Sequence, residues 1–438
     1  MRAKLDPGRS PSQRPRVLLL AHACNPYKGS DAGVGWARAL EAAKRFDAWV
    51  ICGHWDRPDI HRFLTENGDI PGLHFCFVDK MPWENLLGAG SPFYDINYLL
   101  YNLWHRRAYK LAAGLHQELK FDLVHQVTRV GFREPGYLWQ LDSPFIWGPV
   151  GGTQNYPLRF LLVAGAWGAF KEGLRSLINL LQLHLSPRLR RAARKAAFVV
   201  AANSQVQRDL ERVYEVKSPR LLDTGIKEVE NSPKLFRPEG PLRLLWSGRF
   251  DYHKALPLLL QALAKVPSTL EYELRILGTG PLQGRWQKMA RSLGLDPYCQ
   301  WLGWLSQDQA LKQYHWADIL VFTSLRDTSG NVVLEAFSHG VPVICLDHQG
   351  VADMVTENCG VKIPVTTPKE VIGTMGEVIC RLAKDRTALP LLSIGALARA
   401  HDFLWSHNGE QMAELYYAAL KGSKAINPGH DDHQYGLA

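Results

Sequence analysis

The strongest constraint on the fold of this chain is an alternation of apolar, strand-like runs with helical stretches, and the alternation occurs twice. Six apolar runs lie in the first half, at residues 16–23, 47–53, 74–79, 121–127, 144–150 and 196–203. Five more lie in the second half, at residues 242–248, 272–278, 299–304, 318–324 and 341–346. Near-continuous apolar strands separated by helices are typical of parallel sheets covered on both faces. The sequence therefore predicts an α/β protein with two Rossmann-like parallel-sheet domains.

The length and the local composition indicate where the domains meet. The chain has 438 residues, which is too long for one ordinary domain and suits two of about 200 residues. A polar, proline-bearing stretch at 232–241 separates the two sets of strands, so we predict an N-terminal domain over 16–235 and a C-terminal domain over 236–402. Residues 1–15 and 426–438 lack apolar periodicity, so we expect disordered tails there.

Composition and cysteine usage indicate a soluble protein of a reducing compartment. Hydrophobic residues make up 46% of the chain and charged residues 21%, as in ordinary globular proteins. The polar, proline- and arginine-rich start has no apolar core of a signal peptide, so we expect a cytoplasmic location. The seven cysteines are an odd number and are widely spaced, with no CxxC pair. They are interpreted as buried free thiols rather than as disulfides or zinc ligands.

The formal net charge of +9 is concentrated locally. The densest basic cluster, at 186–197, follows the apolar stretch 158–185, whose longest uninterrupted apolar run is about half the length of a membrane span. Two interpretations of 158–197 remain open. The segment is either a basic amphipathic surface on an anionic membrane, at the inner face of the cell membrane, or a pair of helices covering the sheet. Because the basic cluster has no interleaved aromatic residues, no nucleic-acid partner is expected.

Residues that directly follow the strands are candidates for ligand binding, because ligands of such sheets bind beyond the carboxyl ends of the strands. The first strand is followed by a glycine-rich turn at 25–36 that runs into a helix and can bring backbone N–H groups close to an anion. The first strand of the second half is followed by Arg249 and Lys254, and the next strand by the turn 278–281. These positions predict an anion site between the two domains.

Two acids in the stretch TSLRDTSGNVVLEAFSHGVPVI (323–344) are predicted to face the same crevice. If a helix begins near Asn331, Glu335 lies one turn further along the same face, and its side chain leans back toward the loop that holds Asp327. The backbone N–H groups of Ser329, Gly330 and Asn331 would then lie at a helix N-terminus, which favours a negative group. Carboxylates accept hydrogen bonds from hydroxyls, whereas N–H groups and cations attract phosphate. A nucleotide sugar fits this combination.

Several landmarks in the second half resemble the nucleotide-binding domain of retaining glycosyltransferases of family 4. The two acids of DTSGNVVLE match the family signature, and the other landmarks are SGRFDYHK, LRILGTGP, YHWADILVFTS and EAFSHGVPVI. GSDAGVGW near the start and FLWSHNGEQMAELYYAAL (403–420) near the end are similar to further family elements, so the resemblance spans nearly the whole chain. It implies the GT-B fold, with an acceptor-binding N-terminal domain and a nucleotide-sugar-binding C-terminal domain facing each other across a cleft. It also implies that a helix within 403–422 packs back on the first domain.

The resemblance assigns roles to four catalytic residues. Glu335 would hold the ribose hydroxyls of the nucleotide and Asp327 the hydroxyls of the donor sugar. Arg249 and Lys254 would neutralise the diphosphate as its negative charge develops, so neither a metal nor a cofactor is expected. The family retains the anomeric configuration, with the acceptor hydroxyl attacking from the side that the nucleotide leaves. The acids would therefore not act as the nucleophile and acid of a glycoside hydrolase.

Further residues are predicted to contact the substrates. They are Gly29, Ser30, Gly33, His125, Gly248, Gly280, Ser329, Gly330 and Asn331. His125 stands where many family members carry a strand-end HxH, but here the second histidine is Val127, so His125 either binds substrate or only ends its strand.

The predicted activity is transfer of a hexose from a nucleotide diphosphate sugar, with UDP favoured over GDP, to a glycan or a lipid-linked acceptor. The family's usual first acid is Glu, and the shorter Asp327 leaves the donor sugar open. The aromatic residues of 81–107 suit sugar stacking and a lipid carrier equally well. One alternative is an NAD-dependent oxidoreductase, although the glycines of 25–36 begin too late for a GxGxxG motif. The other is a non-catalytic protein of the same fold that binds nucleotide sugars.

Overall fold

The structure is a computed structural model and describes residues 14–79, 94–129 and 131–422. The predicted tail at 426–438, most of the tail at 1–15 and residues 81–93 of the candidate acceptor region lie outside the described residues. Arg14 and Pro15, the last residues of the predicted tail, contact the N-terminal domain. The Arg14 guanidinium donates to the Ala43 carbonyl at 3.0 Å, and the Pro15 carbonyl accepts the Asp47 N–H at 3.0 Å.

The N-terminal domain is built on a parallel sheet of six strands in the order β3-β2-β1-β4-β5-β6, as far as the described residues show. The strands are β1 Arg16–Ala21, β2 Asp47–Gly53, β3 Leu73–Val78, β4 Leu123–Thr128, β5 Phe145–Val150 and β6 Phe198–Ala201. The helices are α1 Ser30–Ala43, α2 Arg57–Asn67, α3 Tyr94–Leu119, α4 Gly165–Leu185, α5 Pro187–Lys195 and α6 Ser204–Tyr214.

The C-terminal domain repeats the arrangement, with a parallel sheet in the order β12-β11-β10-β7-β8-β9. The strands are β7 Leu242–Ser247, β8 Tyr272–Leu277, β9 Cys299–Gly303, β10 Ile319–Phe322, β11 Val343–Asp347 and β12 Gly360–Pro364. The helices are α7 Leu256–Leu263, α8 Gln283–Ser292, α9 Gln307–Trp316, α10 Asn331–Ser338, α11 Gln349–Met354, α12 Pro368–Lys384, α13 Ala388–His401 and α14 Trp405–Leu420.

All eleven predicted strands are confirmed, within a few residues at each end. The sequence prediction missed β12, because this strand lies at the edge of its sheet and its exposed positions interrupt the apolar run. In each sheet the strand order reverses beside the first strand, between β1 and β4 and between β7 and β10. Ligands of doubly wound sheets bind at this reversal, beyond the carboxyl ends of the strands. The fold therefore predicts a site where these two crevices meet.

One segment of the N-terminal half belongs to the core of the other domain. Tyr156, Phe160 and Ala164 are buried in the same apolar cluster as Trp246 and Leu258 of the C-terminal domain. The chain then returns to the first domain along α4, whose Leu183 is buried in the N-terminal core. The cleft between the domains is therefore crossed by covalently continuous chain at α4 as well as at the linker before β7.

The last helix, α14, packs on the N-terminal domain. Its apolar residues Met412, Leu415 and Tyr416 are buried in the cluster that covers one face of the first sheet. The Asn408 side chain accepts a hydrogen bond from the Arg38 guanidinium at 2.6 Å, and both residues are buried. The helix therefore connects the end of the C-terminal domain to the first sheet.

The cysteines and the helices agree with two sequence expectations. All seven cysteines lie in the described part of the chain and are free thiols, of which Cys24, Cys52, Cys345 and Cys359 are buried as expected and the other three are half-buried. Ser306 and Gln309 form the expected capping box at the start of α9. No helix in the described ranges is long and apolar enough to cross a membrane.

Candidate functional site between the two domains

A cavity of about 360 Å³ lies between the two domains, at the carboxyl ends of their strands. From the first domain and the linker, its lining includes Ser30, Asp31, Val34, Asp223 and Thr224. From the second domain, it includes Ser247 and Phe322 at the ends of β7 and β10, and Gly248, Arg249, Lys254 and residues 327–332 in the segments that follow these strands. A second cavity, of about 530 Å³, shares Ser247, Gly248 and Arg249 with the first. It continues over Gly278, Thr279 and Gly280 to Trp304, Leu305 and Ala310.

The centre of the interdomain cavity is an ion pair between Lys254 and Asp327. Both side chains are largely buried, with exposed fractions of 19% and 24%. The backbone N–H of Asp327 donates to Gln349 Oε1 at 2.7 Å, and Gln349 Nε2 donates to the carbonyl of Asn155 in the other domain at 3.1 Å. The loop that carries Asp327 is therefore held from both domains.

The turn after β7 places the Lys254 ammonium next to Asp327. Lys254 ends a single 3-10 turn, which begins where the Asp251 carboxylate accepts the Tyr252 N–H at 2.8 Å. The carbonyl of Lys254 accepts a hydrogen bond from the Thr323 hydroxyl at 2.7 Å, which ties the turn to the end of β10. Arg249 precedes the turn and lines both cavities, and its side chain is 72% exposed.

The N-terminus of α10 also faces the interdomain cavity. Gly330 is the N-cap residue and makes no side-chain capping hydrogen bond. Ser329, Gly330 and Asn331 all line the cavity, as the sequence predicted for one helix N-terminus. The first backbone N–H groups of a helix lack internal partners, and the helix dipole favours an anion at this end.

Three carboxylates converge on the cavity, two of which the sequence analysis did not select. Asp223 is 7% exposed, and burial raises its pKa to about 6, with smaller contributions in the same direction from the charges of Asp31 and Asp327. A hydrogen bond from the Ser329 hydroxyl opposes this shift. Burial also raises the pKa of Asp31, and the Arg129 charge partly offsets it.

The omission of Asp31 and Asp223 has different causes. Asp31 lies within the motif GSDAGVGW, and selecting the polar residue next to Ser30 would have found it. Asp223 lies in the linker after α6, where no periodicity indicates which side chains point inward. Only the three-dimensional structure shows that Asp223 lines the cavity between the domains.

Glu335 lies behind the cavities and lines neither of them. Its carboxylate accepts a hydrogen bond from the buried Tyr314 hydroxyl at 2.7 Å, and burial raises the pKa of Glu335. Burial and then the negative charge of Glu335 raise the pKa of Tyr314, and a hydrogen bond from the Ser247 hydroxyl opposes this. Because Ser247 lines both cavities, Tyr314 and Ser247 connect Glu335 to the site.

Gly278 allows two loops of the C-terminal site to approach each other. Its φ of +116° is in the region that favours glycine, and a Cβ atom there would lie 2.0 Å from the Gly248 carbonyl oxygen. The loops after β7 and β8 therefore meet at backbone contact distance. Gly280 lines the larger cavity, as does Gly248, which lines both.

The turn before α1 supplies the other side of the cleft. Gly29 is the N-cap of α1 and Ser30 has a φ of 55°. A Cβ atom on Gly33 would lie 2.7 Å from the Lys28 carbonyl oxygen, so this close turn requires glycine at position 33. Ser30 lines the interdomain cavity, whereas Gly29 and Gly33 are not among the residues that line it.

His125 is placed in the core and not in the cleft. The ring is fully buried, with Nδ1 2.5 Å from the Tyr416 hydroxyl and Nε2 2.5 Å from the Gly148 carbonyl oxygen. Since a carbonyl can only accept, Nε2 carries the proton and Nδ1 accepts from Tyr416. Burial lowers the pKa of His125 to about 3. Both nitrogens are occupied, so we remove His125 from the candidate substrate-binding residues and assign it to the contact with α14.

A separate cluster has the composition of a metal site. Glu230, His315 and His339 bring carboxylate and imidazole atoms within 4.8 Å of one another at the C-terminal end of α10. None of the three lines either cavity described above.

Comparisons with known proteins agree with this geometry. Residues 227–379 match the family described as Glycosyl transferases group 1. A D-inositol 3-phosphate glycosyltransferase of Streptomyces bingchenggensis is 27% identical over 208 residues, which cover 45% of this chain and 45% of that relative. The match therefore spans less than half of the relative's length.

Solved structures of similar fold cover nearly the whole chain. Anabaena HepE in complex with UDP has a TM-score of 0.59 at 16% identity, covering 92% of this chain and 100% of that one. The lipopolysaccharide outer core galactosyltransferase WaaB has a TM-score of 0.63 at 14% identity, covering 92% and 99%. Residues 227–379 of the C-terminal domain are therefore similar to the glycosyl transferases group 1, and the two domains have the GT-B fold.

Proposed function

We propose that the protein is a retaining, metal-independent hexosyltransferase that uses a nucleotide diphosphate sugar, with UDP favoured over GDP as the nucleotide. The acceptor is a glycan or a lipid-linked sugar. The observation that carries the proposal is the interdomain cavity, in which the Lys254–Asp327 pair and the N-terminus of α10 face Ser30 and Asp31 of the other domain.

The cavity brings groups suited to phosphate next to groups suited to hydroxyls, and the two sets meet at the Lys254–Asp327 pair. Lys254, Arg249 and the first N–H groups of α10 provide positive charge and hydrogen-bond donors for a diphosphate. Asp327, Asp223 and Asp31 provide acceptors for sugar hydroxyls. A donor with its diphosphate at the first group and its sugar at the second fits both sets of residues.

The reaction requires stabilisation of the leaving nucleotide. The bond between the sugar C1 and the diphosphate oxygen breaks, and a bond forms between C1 and the acceptor oxygen on the same face. The acceptor proton moves to an oxygen of the departing phosphate. Lys254 and Arg249 stabilise the charge that develops there, and fixed charges of this kind are a major source of catalysis. Asp327 orients the sugar, and the mechanism requires no protein nucleophile because the acceptor oxygen attacks C1 directly on the face that the diphosphate leaves.

The larger cavity suits the nucleoside. It adjoins the diphosphate position at Gly248 and Arg249, and Trp304, whose side chain is 76% exposed, provides an aromatic surface at its far side. Glu335 would reach the ribose hydroxyls through the Ser247 side of the cavity. Among proteins of the same fold, HepE has been solved with UDP and with UDP-glucose, which favours UDP for this chain as well.

The proposal includes a peripheral contact of residues 158–197 with the inner face of a membrane. Such a contact would bring the protein to lipid-linked acceptors without a membrane-spanning helix.

Nucleotide binding is the first test. UDP, GDP, ADP and NAD are each added to the wild type and to Lys254→Met in a thermal-shift assay. The matched control is Lys362→Met, which breaks a Lys–Asp pair at 3.5 Å with Asp347, outside both cavities. UDP at 100 times its dissociation constant should stabilise the wild type and the control by about 2.7 kcal/mol. Lys254→Met should lose most of this stabilisation.

The outcomes distinguish the alternatives. A shift with NAD alone, or no shift with any nucleoside diphosphate, would contradict the transferase proposal. If UDP binds, an NMR assay of the product then determines the anomeric configuration, and inversion would refute the retaining mechanism. Full activity in excess EDTA is expected from a metal-independent enzyme.

A further inference from the structure

Helix α4 exposes its apolar face to solvent. Six large apolar residues at spacings of three and four positions form an exposed stripe along the helix, namely Trp167, Phe170, Leu174, Ile178, Leu181 and Leu185. Trp167 is 61% and Leu185 71% exposed. Side chains with this spacing share one helix face. In an ordinary surface helix this face would be the buried one.

The opposite face of α4 is buried although it is polar. Its buried residues include Gly168, Glu172, Ser176 and Asn179. The Glu172 carboxylate accepts two hydrogen bonds from the Arg326 guanidinium, at 3.1 and 3.2 Å. Since Arg326 precedes Asp327, this pair ties α4 to the loop at the donor site.

Further polar contacts fix the rotation of the helix about its axis. Asn179 Nδ2 donates to the Thr153 carbonyl at 2.8 Å, and Asn179 Oδ1 accepts from the Arg133 guanidinium at 3.1 Å. Turning the apolar stripe inward would break these bonds and expose the partners of Glu172. The outward direction of the stripe therefore follows from satisfied polar contacts on the inner face.

The apolar surface continues beyond α4. Leu158 and Leu162 in the preceding 3-10 helix are 77% and 86% exposed. The Trp167 and Phe170 rings stack at 5.7 Å, and the Lys171 ammonium lies 5.3 Å from the centre of the Trp167 ring. Contiguous apolar surface of this kind is unusual on a protein that stays in water, and aromatic residues beside cations are typical of segments at a membrane interface.

The positive charge of residues 158–197 indicates which kind of surface the stripe can bind. Residues 158–197 contain eight Lys and Arg residues and one acid, Glu172, which is buried against Arg326. Helix α5 contributes Arg190, Arg191 and Arg194, all exposed. A second copy of the chain, packed on the stripe about a two-fold axis, would bring the same cations together. An anionic lipid surface is complementary to both the stripe and its cations.

We propose that α4 lies on an anionic lipid bilayer, with the stripe inserted among the headgroups and the cations of α5 against lipid phosphates. The 21 residues of α4 form a helix about 30 Å long, which lies in the plane of the surface and does not cross it. The inner face of the same helix remains attached to the Asp327 loop through Arg326. The docking proposal specifies the membrane contact that forms part of the proposed function. The docking does not depend on the transfer chemistry.

The test is co-sedimentation of the full chain with vesicles of phosphatidylcholine alone and of phosphatidylcholine with phosphatidylglycerol. The wild type should bind the anionic vesicles at least about a hundredfold more tightly than the neutral ones, since each basic residue near the surface contributes about fivefold and α5 alone supplies three exposed arginines. The triple variant Phe170→Gln, Leu174→Gln and Ile178→Gln should lose binding to both. The matched control is Leu391→Gln with Ile394→Gln, two exposed apolar residues of α13 that should not affect binding.

A second variant separates charge from apolar contact. Replacing Arg190, Arg191 and Arg194 by Gln should reduce binding to anionic vesicles about a hundredfold. UDP thermal shifts on every variant report whether the fold and the nucleotide site are intact. If the wild type binds vesicles but UDP does not shift its melting temperature, the proposed function is contradicted and the docking proposal is supported.

Two results would overturn the docking proposal. One is undiminished vesicle binding by the triple Gln variant whose UDP shift is normal. The other is a dimer of the wild type, seen by analytical ultracentrifugation, that the triple variant abolishes while vesicle binding is absent from both. The second result would identify another copy of the chain as the occupant of the stripe.

Discussion

Replacing Asp223 by Asn should change how the stability of the protein depends on pH. The Asp223 carboxyl is 7% exposed in the linker between the domains, and burial raises its pKa to about 6, from 3.8 for an unperturbed carboxyl. Asparagine has nearly the same shape and no charge at any pH. Its amide oxygen can still accept the hydrogen bond from the Ser329 hydroxyl.

The sign and size of the effect follow from the two pKa values. Between pH 3.8 and about pH 6 the folded wild type holds a proton on Asp223 that the unfolded chain has released. The free energy of unfolding therefore falls as pH rises through this window, by about 3 kcal/mol in total. About 2 kcal/mol of this falls between about pH 4.5 and pH 7.5. The Asn variant has no carboxyl to ionise. Its free energy of unfolding minus that of the wild type should therefore increase by about 2 kcal/mol as pH rises from about 4.5 to 7.5.

Urea unfolding at several pH values measures this difference directly. The other titratable groups are the same in both proteins, so subtracting the wild-type curve from the variant curve isolates the effect of the Asp223 charge, including its influence on Asp31 and Asp327. The matched control is Asp69→Asn, which removes an exposed carboxylate from the loop between α2 and β3. The control reports how the loss of one surface carboxylate affects the measured curves.

A constant difference in the free energy of unfolding between variant and wild type across the pH range would contradict a raised pKa of Asp223 in the folded protein. The same conclusion would follow if the free energy of unfolding of the variant, minus that of the wild type, decreased as pH rises. Either outcome would mean that Asp223 is ionised at little cost in the folded protein. The cluster of three carboxylates would then be better solvated or better compensated than its burial indicates.

Three further substitutions test individual parts of the site. Lys254→Met should lower kcat/KM for transfer by about two to three orders of magnitude, because one fixed charge on the diphosphate is lost. Tyr314→Phe removes the donor to Glu335, so the Glu335 pKa should rise further and the free energy of unfolding, measured in urea, should fall by about 1 to 3 kcal/mol. Gly278→Ala combines a positive φ with a contact 2.0 Å from the Gly248 oxygen, so calorimetry should show a lower melting temperature, and UDP binding should weaken.

The strands of both sheets could be predicted from the sequence because their residues are buried on both faces. The same holds for the start of α10, where apolar helical periodicity begins directly after a glycine. The Lys254–Asp327 contact could not be predicted in the same way. These residues are 73 positions apart and meet only because β7 and β10 are neighbours in the sheet. Their role was instead anticipated from a family resemblance.

Helix α4 shows a different limit of sequence analysis. Its apolar periodicity indicated an amphipathic helix, and periodicity alone favours burial of the apolar face. The structure buries the polar face, because Glu172 and Asn179 find partners in Arg326 and Thr153. These partners come from the other domain and from the loop after β5, and no pattern within 158–197 identifies them.

The contacts of the Asp327 loop connect donor binding to the closure of the cleft. Asn203 Nδ2 donates to the Thr328 carbonyl at 2.7 Å, and the Gly152 N–H donates to the Thr328 hydroxyl oxygen at 3.2 Å. Both donors belong to the N-terminal domain, whereas Thr328 adjoins the acid that pairs with Lys254. Separating the domains would remove these bonds and leave the loop to be held by its own domain. Lys254 is therefore positioned best when the cleft is closed. A nucleotide sugar that contacts both domains should favour this closed state, and closure should exclude water from the sugar.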